Sequence, residues 1–209
     1  MTRPPVTTPL PTRFDETSDE DPKVDGILSR NIKERLFKAR TVLIFGEVNT
    51  ALAQATVTQL LALSAESNEP IRVLVHSQGG HVEAGDTIFD VIRFIEPEVK
   101  MIGTGWVASA GTHIFLGAPK ERRYCLPNTR FLIHQPSGGA QGRAGDIAIQ
   151  AQEIVKMRER LAQVIAEKTG QKIERVREDI ERDYWMSTEE AKDYGILGTV
   201  INKGDQIKF

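Results

Sequence analysis

Three short stretches of this 209-residue chain carry residue types able to make or break bonds. Gly105-Trp106-Val107-Ala108-Ser109-Ala110-Gly111 sets one serine among small residues, where a strand pattern gives way to a helix pattern. Such a junction can lift a hydroxyl above a sheet and aim the next residue's N–H at the same space, as acyl transfer requires. Val107 stands where the hydrolase elbow G-x-S-x-G has its first glycine, so the motif alone fits a packing or N-cap serine better than a nucleophile. Gly79-Gly80 offers N–H groups that can approach an oxyanion or phosphate closely, or simply a strand-to-helix turn. It is neither a Rossmann nor a P-loop glycine pattern.

The 4 histidines are the candidate general bases. His76 ends a strand, His81 follows the glycine pair, His113 sits on the helix after Ser109, and His134 ends the run Arg130-Phe131-Leu132-Ile133. His134 stands out, because sites assemble at the strand ends of parallel sheets, although a structural histidine occurs there too. There is no H-E-x-x-H pair and only 1 cysteine, so no metal site is expected. The acidic residues Asp179, Glu181, Asp183, Glu189 and Glu190 read mostly as solvated helix charges. Spacing alone does not single out one that orients a histidine.

The elements that must position these residues alternate in type. Thr41–Phe45 reads as a buried strand ending at Gly46, and Asn49 as the N-cap of a helix to about Leu63, carrying Leu52, Ala53, Val57, Leu60 and Leu61. A strand over Ile71–His76 is followed by a helix bearing Val82, Ile88, Val91, Ile92 and Ile95, which stops before Pro97. Then come a strand near Val99–Gly103, a helix over Ala110–Leu116 and a strand at Arg130–His134. This βα series predicts a parallel or mixed sheet covered by helices. The longest helical pattern runs from an N-cap at Asp146 to Gly170, roughly 35 Å at ~1.5 Å per residue. Its stripe of Ile147, Ala151, Ile154, Leu161 and Ile165 is widened by Ile149, Val155, Met157 and Val164, more than one contact face needs, which points to burial between subunits. Ser187 and Glu190 have the spacing of a capping box for a last helix ending near Gly195.

Composition narrows the class. With 27 basic and 29 acidic side chains the net charge is −2, which gives no electrostatic reason to expect nucleic acid. Apolar residues make up 40 %, enough for a core, yet no run approaches the ~18 of a membrane span and no apolar secretory core opens the chain. Cys125 alone cannot form an intrachain disulfide and fits a reducing compartment. The expectation is a soluble cytoplasmic protein. Residues 1–28 form a separate arm: Pro4, Pro5, Pro9, Pro11 and Pro22 lie there with Asp15, Glu16, Asp19, Glu20, Asp21 and Asp25, a composition that resists packing.

Taken together, Gly46-Glu47-Val48, His76-Ser77-Gln78-Gly79-Gly80, Ala108-Ser109-Ala110-Gly111, Leu126-Pro127-Asn128-Thr129, Ile133-His134-Gln135-Pro136 and Glu181-Arg182-Asp183 resemble, in order and spacing, the proteolytic subunit of ATP-dependent Clp proteases. The resemblance implies a crotonase-like α/β fold, a ββα spiral with a projecting strand-helix handle at about 138–170. The protease domain would span 29–203, with a tail at 204–209. It also implies Ser109 as nucleophile, His134 as general base and then acid, a buried Asp183 as the orienting carboxylate, and the N–H groups of Gly80 and Ala110 as the oxyanion hole. A side chain at Gly80 would then obstruct the scissile carbonyl. Gln135, Pro136, Ser137, Gly138 and Gly139 would be the edge on which a peptide lies, and Glu181 and Arg182 would meet a facing ring. Two stacked heptameric rings, with the same or a second proteolytic subunit, would receive unfolded polypeptide from a hexameric AAA+ ATPase. No cofactor is implied for this chain, since ATP is used by that partner.

The chain departs from the family pattern at Gln78, where a rigid proline is usual, at Ala110, where methionine is usual, at Thr112 and His113, and through its Pro-rich acidic arm. These departures motivate a second reading, a structural or regulatory subunit that needs a sister subunit for activity. A third, an acyl-CoA enzyme on the same fold, would not need Ser109, His134 and Asp183 at these intervals.

Overall fold

A computed structural model describes residues 30–139 and 141–207. The arm expected at 1–28 lies outside the described residues, as do Ser29, Ala140, Lys208 and Phe209. Helix α1 (Arg30–Lys38) leads into β1 (Thr41–Val48), α2 (Thr50–Glu66), β2 (Ile71–Gly80), α3 (Val82–Phe94), β3 (Val99–Ala108) and α4 (Ala110–Phe115). Then follow β4 (Arg123–Cys125), β5 (Arg130–Ile133), α5 (Ala144–Thr169), α6 (Ile173–Asp179), β6 (Tyr184–Met186), α7 (Thr188–Tyr194) and β7 (Thr199–Val200).

The seven strands form one mixed sheet. β1, β2, β3, β4 and β7 lie side by side and parallel, while β5 pairs parallel with the far end of β3 and antiparallel with β6. The periodicities explain this. β2 alternates buried Ile71, Val73, Val75 and Ser77 with less buried neighbours, so one face meets the helices. Val42, Ile44, Val73, Val75, Met101, Val107 and Phe131 pack there against Leu60, Leu63, Ile88, Phe89 and Phe115 in one continuous core. On the opposite face a smaller cluster joins Ile102, Ile201 and Ile207 to Leu74 and Tyr124.

Local signals decide the helix ends. The Asn49 side chain accepts from the Leu52 N–H at the start of α2, and Ser187 and Glu190 close a capping box on α7. α5 ends at Gly170 in the left-handed conformation but starts at Ala144, so Asp146 lies in its first turn rather than at the cap. An acidic side chain there still complements the helix dipole, which is why the residue type misplaces the cap by three positions, from Arg143 to Asp146. No strand forms in the described residues between Ile133 and α5. That segment has no strand beside it in a single protomer, and a ladder requires a partner. Along α5, Ile149 and Val155 are 60 % and 66 % exposed, so part of its apolar surface is left uncovered by the described residues.

Candidate active site

The C-terminal ends of β2, β3 and β5 converge, and each delivers one of the residues singled out above. β3 ends at Ala108, and Ser109 follows with φ 55° and ψ −121°, a conformation that non-glycine residues adopt only where the surroundings hold it. The holding contacts are explicit. Ser109 N–H donates to the Leu132 carbonyl at 3.0 Å, and the Thr112 hydroxyl lies 2.7 Å from the Val107 carbonyl oxygen and 2.8 Å from that of Leu132. Thr112 thus bridges the strand before the serine to the strand that carries His134. The sharp turn leaves Ala110 as the first residue of α4, where an N–H has no partner in the helix ladder.

His134 follows β5, and its Nε2 lies 2.8 Å from Ser109 Oγ. Its Nδ1 lies 3.0 Å from Asp183 Oδ1. A hydroxyl, an imidazole and a carboxylate are therefore in hydrogen-bonded series, with the imidazole able to hold its proton at Nδ1 toward the carboxylate and to accept one at Nε2. Asp183 departs from the expectation of a buried carboxylate: its side chain is 63 % exposed. It sits in the turn between α6 and β6, where none of the described elements covers it.

The segments bearing His134 and Asp183 are laced together. Gln135 donates its backbone N–H to the Ile180 carbonyl at 2.7 Å and its side-chain amide to the Glu181 carbonyl at 3.0 Å. Glu181 is also ion-paired with Arg158 of α5. So Gln135 and Glu181 have partners within the protomer that tie the long helix to the histidine and the carboxylate, and Arg182 beside them is exposed. This lacing has no signature in the sequence, because its hydrogen bonds involve main-chain groups that every residue carries.

Gly79 and Gly80 both have positive φ, +100° and +148°. Ser77 shapes their turn: its hydroxyl donates to the Gly46 carbonyl at 2.6 Å and accepts from the Gly79 N–H at 3.1 Å. The expectation that a side chain at Gly80 would obstruct the reacting carbonyl is corrected here. A Cβ on Gly80 would sit 2.3 Å from the Val48 carbonyl oxygen, against β1, whereas one on Gly79 would sit 2.5 Å from the Ser109 Cβ. The parallel register explains the difference, since Val48 lies directly opposite Gly80.

Beside Ser109 and His134 lies a cleft walled by Val82, Ile133, Pro136, Leu161 and Ile165, with His113 also in its lining. Pro136 reaches this wall, while Ser137, Gly138 and Gly139 are exposed beyond it. The other two histidines take no part in it. His76 sits between Phe45 and Trp106, with ring centroids 5.6 and 6.2 Å away, and His81 precedes α3 with its Nδ1 3.3 Å from Glu83. Cys125 is buried, which pushes its thiol up to about 12. Among the described residues no three His, Cys, Asp or Glu side chains are grouped to hold a metal ion, and no helix is long and apolar enough to cross a membrane.

Comparison with known proteins identifies the family. The family model of the Clp protease matches residues 25–204. The ATP-dependent Clp protease proteolytic subunit 3 of Rhizobium etli is 55 % identical over 187 residues, covering 90 % of this chain and 96 % of the relative. The ATP-dependent Clp protease proteolytic subunit of Paracoccus denitrificans is 57 % identical over 167 residues, 80 % of this chain and 84 % of the relative. Among solved structures, ClpP1 from Listeria monocytogenes superposes with a TM-score of 0.77 at 52 % identity, covering 85 % of this chain and 99 % of that one. The architecture is therefore the ClpP and crotonase-like α/β fold. With a family match across most of its length and relatives this similar over nearly their whole chains, the protein belongs to the Clp protease family.

Proposed function

We propose that the chain is a serine endopeptidase subunit that hydrolyses peptide bonds of unfolded polypeptide. The observation that carries this is the hydrogen-bonded series Ser109, His134, Asp183, with Ser109 held at positive φ at a strand-helix junction. Serine is a weak nucleophile at neutral pH. Attack on the scissile carbonyl becomes feasible as His134 Nε2 takes the hydroxyl proton, while Asp183 holds the Nδ1 proton and stabilises the imidazolium. The same proton then passes to the leaving amine, and an acyl group remains on Ser109 until water, activated by His134, releases it. The oxyanion is received by the N–H groups of Gly80 and Ala110, donors of a kind worth roughly 3–4 kcal/mol each in kcat.

The segment Gln135–Gly139 is assigned to the substrate. It leaves β5 without a strand partner, so an extended peptide can add beside it through its main chain, a mode that tolerates many sequences. The names of the relatives and the unpartnered apolar surface of α5 support an oligomer served by an ATPase. We assign Glu181 and Arg182 to contacts between two stacked heptameric rings and unfolded substrate delivery to a hexameric AAA+ partner in the cytoplasm, with ATP consumed by that partner. The exposure of Asp183 fits this assembly, because a second copy at the rim would lower the local dielectric around the pair.

The test is substitution of the nucleophile. Ser109→Ala is expected to abolish hydrolysis of small fluorogenic peptides while leaving the oligomer's sedimentation unchanged, and full activity in that variant would refute the assignment. The alternative of a structural subunit, inactive without a sister subunit, is opposed by the alignment of all three side chains. It would be favoured only if the purified homo-oligomer cleaved nothing.

A further inference from the structure

Serine and threonine side chains inside a helix commonly bond a carbonyl three or four residues earlier, within the helix itself. Thr112 is the third residue of α4 and is 1 % exposed, and its hydroxyl reaches out of the helix instead. One partner, the Val107 carbonyl at 2.7 Å, lies five residues back, on the far side of the turn at Ser109. The other, the Leu132 carbonyl at 2.8 Å, is at the end of β5, two residues before His134. The Leu132 oxygen also accepts the Ser109 N–H at 3.0 Å, so one of its lone pairs serves the backbone of Ser109 and the other serves Thr112. A hydroxyl has one proton, and here it lies between two carbonyl oxygens that repel each other without it. Ser109 at φ 55° occupies a region that costs a non-glycine residue about 1–3 kcal/mol and persists only where the surroundings fix it. The Thr112 hydroxyl supplies such a fixture, closing a circuit from Val107 across the turn to β5.

We propose that Thr112 is a positioning residue for the reaction, and that its hydroxyl sets the separation between the turn that carries Ser109 and the strand that carries His134. Ser109 Oγ and His134 Nε2 are 2.8 Å apart, each placed by its own strand, and Thr112 bonds both strands. It acts through these two residues rather than on the reacting atoms. The hydroxyl, not the volume, is the part that matters. In valine, which has the same size and branching, a methyl group faces the two carbonyl oxygens. Carbon–oxygen contacts lie at about 3.3–3.6 Å, so each carbonyl must retreat by roughly half an ångström and the two strands part. Serine keeps the hydroxyl and loses only the methyl group. The inference rests on Ser109 being the nucleophile and His134 its base.

The experiment compares Thr112→Val and Thr112→Ser with wild type in the assembled protein. It reads hydrolysis of a fluorogenic peptide, the rate at which a serine-reactive phosphonate labels Ser109, and urea unfolding. Thr112→Val is expected to lower kcat by about tenfold or more with KM within about twofold, because a displacement between nucleophile and base acts on the chemical step, and to slow labelling by a similar factor. Thr112→Ser is expected to keep both rates within about twofold of wild type. A threonine with a structural role alone would lower the urea midpoint of Thr112→Val and leave the kcat of the folded protein unchanged, and that result would overturn the inference. So would an equal loss of kcat in Thr112→Ser, which would assign the effect to the methyl group. Should Thr112→Val not fold, Thr112→Ala is measured in its place and judged by the same split between kcat and KM. Ser109→Ala is run beside them. Hydrolysis that survives in it, or a wild type in which Ser109 neither supports hydrolysis nor takes the label, would overturn the peptidase assignment and the inference together. Ser109-dependent hydrolysis that Thr112→Val leaves intact overturns the inference alone.

Discussion

Gly79 lies so close to Ser109 that an added Cβ would sit 2.5 Å from the Ser109 Cβ and 3.0 Å from its Oγ. The adjacent Gly80 faces the β1 backbone instead. The missing side chains therefore have separable reasons, one keeping space for the nucleophile and one allowing β2, with the Gly80 N–H assigned to the oxyanion, to approach Val48. Gly79→Ala is expected to lower kcat by about a hundredfold or more, as displacing a nucleophile does. Gly80→Ala is expected to cost stability by about 2 kcal/mol or more, because its backbone is at positive φ and its Cβ meets the Val48 carbonyl oxygen; Gly79→Ala shares this backbone strain and adds the displacement of Ser109. Urea unfolding measures the strain in both variants, and the position of Ser109 in a crystal structure of Gly79→Ala checks the displacement; an unmoved Ser109 with wild-type kcat in that variant would contradict the task given to Gly79.

Gln135 positions the imidazole of His134 relative to the Asp183 carboxylate through its bonds to Ile180 and Glu181. Gln135→Ala retains the backbone bond and removes the side-chain one. A lost hydrogen bond of about 1 kcal/mol corresponds to roughly a fivefold fall in kcat, with KM little changed. A rise in KM with kcat intact would mean that the Gln135 side chain, and not only the main chain of its segment, serves substrate binding rather than alignment.

Asp86 supplies a pH signature. Burial opposes its charge, but its contacts with His113 Nε2 at 2.9 Å and Arg160 at 2.7 Å outweigh burial and hold the carboxyl below the ordinary value of 3.8. Its contribution to stability is therefore present above that pH and is lost as pH falls further toward the folded-state value. The difference in unfolding free energy between wild type and Asp86→Asn is therefore expected to be constant from pH 7 to about 5 and to shrink below about 4. A difference that stays constant down to pH 3 would contradict the pairing with His113 and Arg160.

The exposed apolar side chains of α5 carry the proposed assembly. Ile149→Lys combined with Val155→Lys places two charges on surface that is more than half exposed in the protomer. The fold is expected to persist while sedimentation velocity shows smaller species. An unchanged sedimentation coefficient would show that this face is not an interface.

Much of this was legible in the residues. The strand runs Thr41–Phe45 and Ile71–His76, the Asn49 cap and the Ser187 capping box all express local rules, and the structure follows them except at the strand ends, which continue through the glycines to Val48 and Gly80 because the parallel ladder between β1 and β2 extends that far. Ser109 and His134 were legible as candidates because their strand ends were. Asp183 was not separable from its acidic neighbours by spacing, since only tertiary folding brings it to His134 from 49 residues away. Short elements such as β4, β6 and β7 escape periodicity because two or three residues hold no full period. The His113–Asp86–Arg160 group was equally hidden: its members lie on three helices, and Asp86 resembles any exposed helix acid until α5 closes over it.

The central claim, that Ser109 is a nucleophile activated by His134 and Asp183, is tested most directly by covalent labelling. The purified oligomer is treated with a serine-reactive phosphonate and analysed by intact mass and peptide mapping, alongside His134→Ala and Asp183→Ala. The geometry predicts one adduct per chain, located on Ser109, with labelling slowed by about three orders of magnitude or more when His134 is removed. Peptide hydrolysis in a protein whose Ser109 stays unlabelled, or equal labelling in the His134→Ala variant, would contradict it.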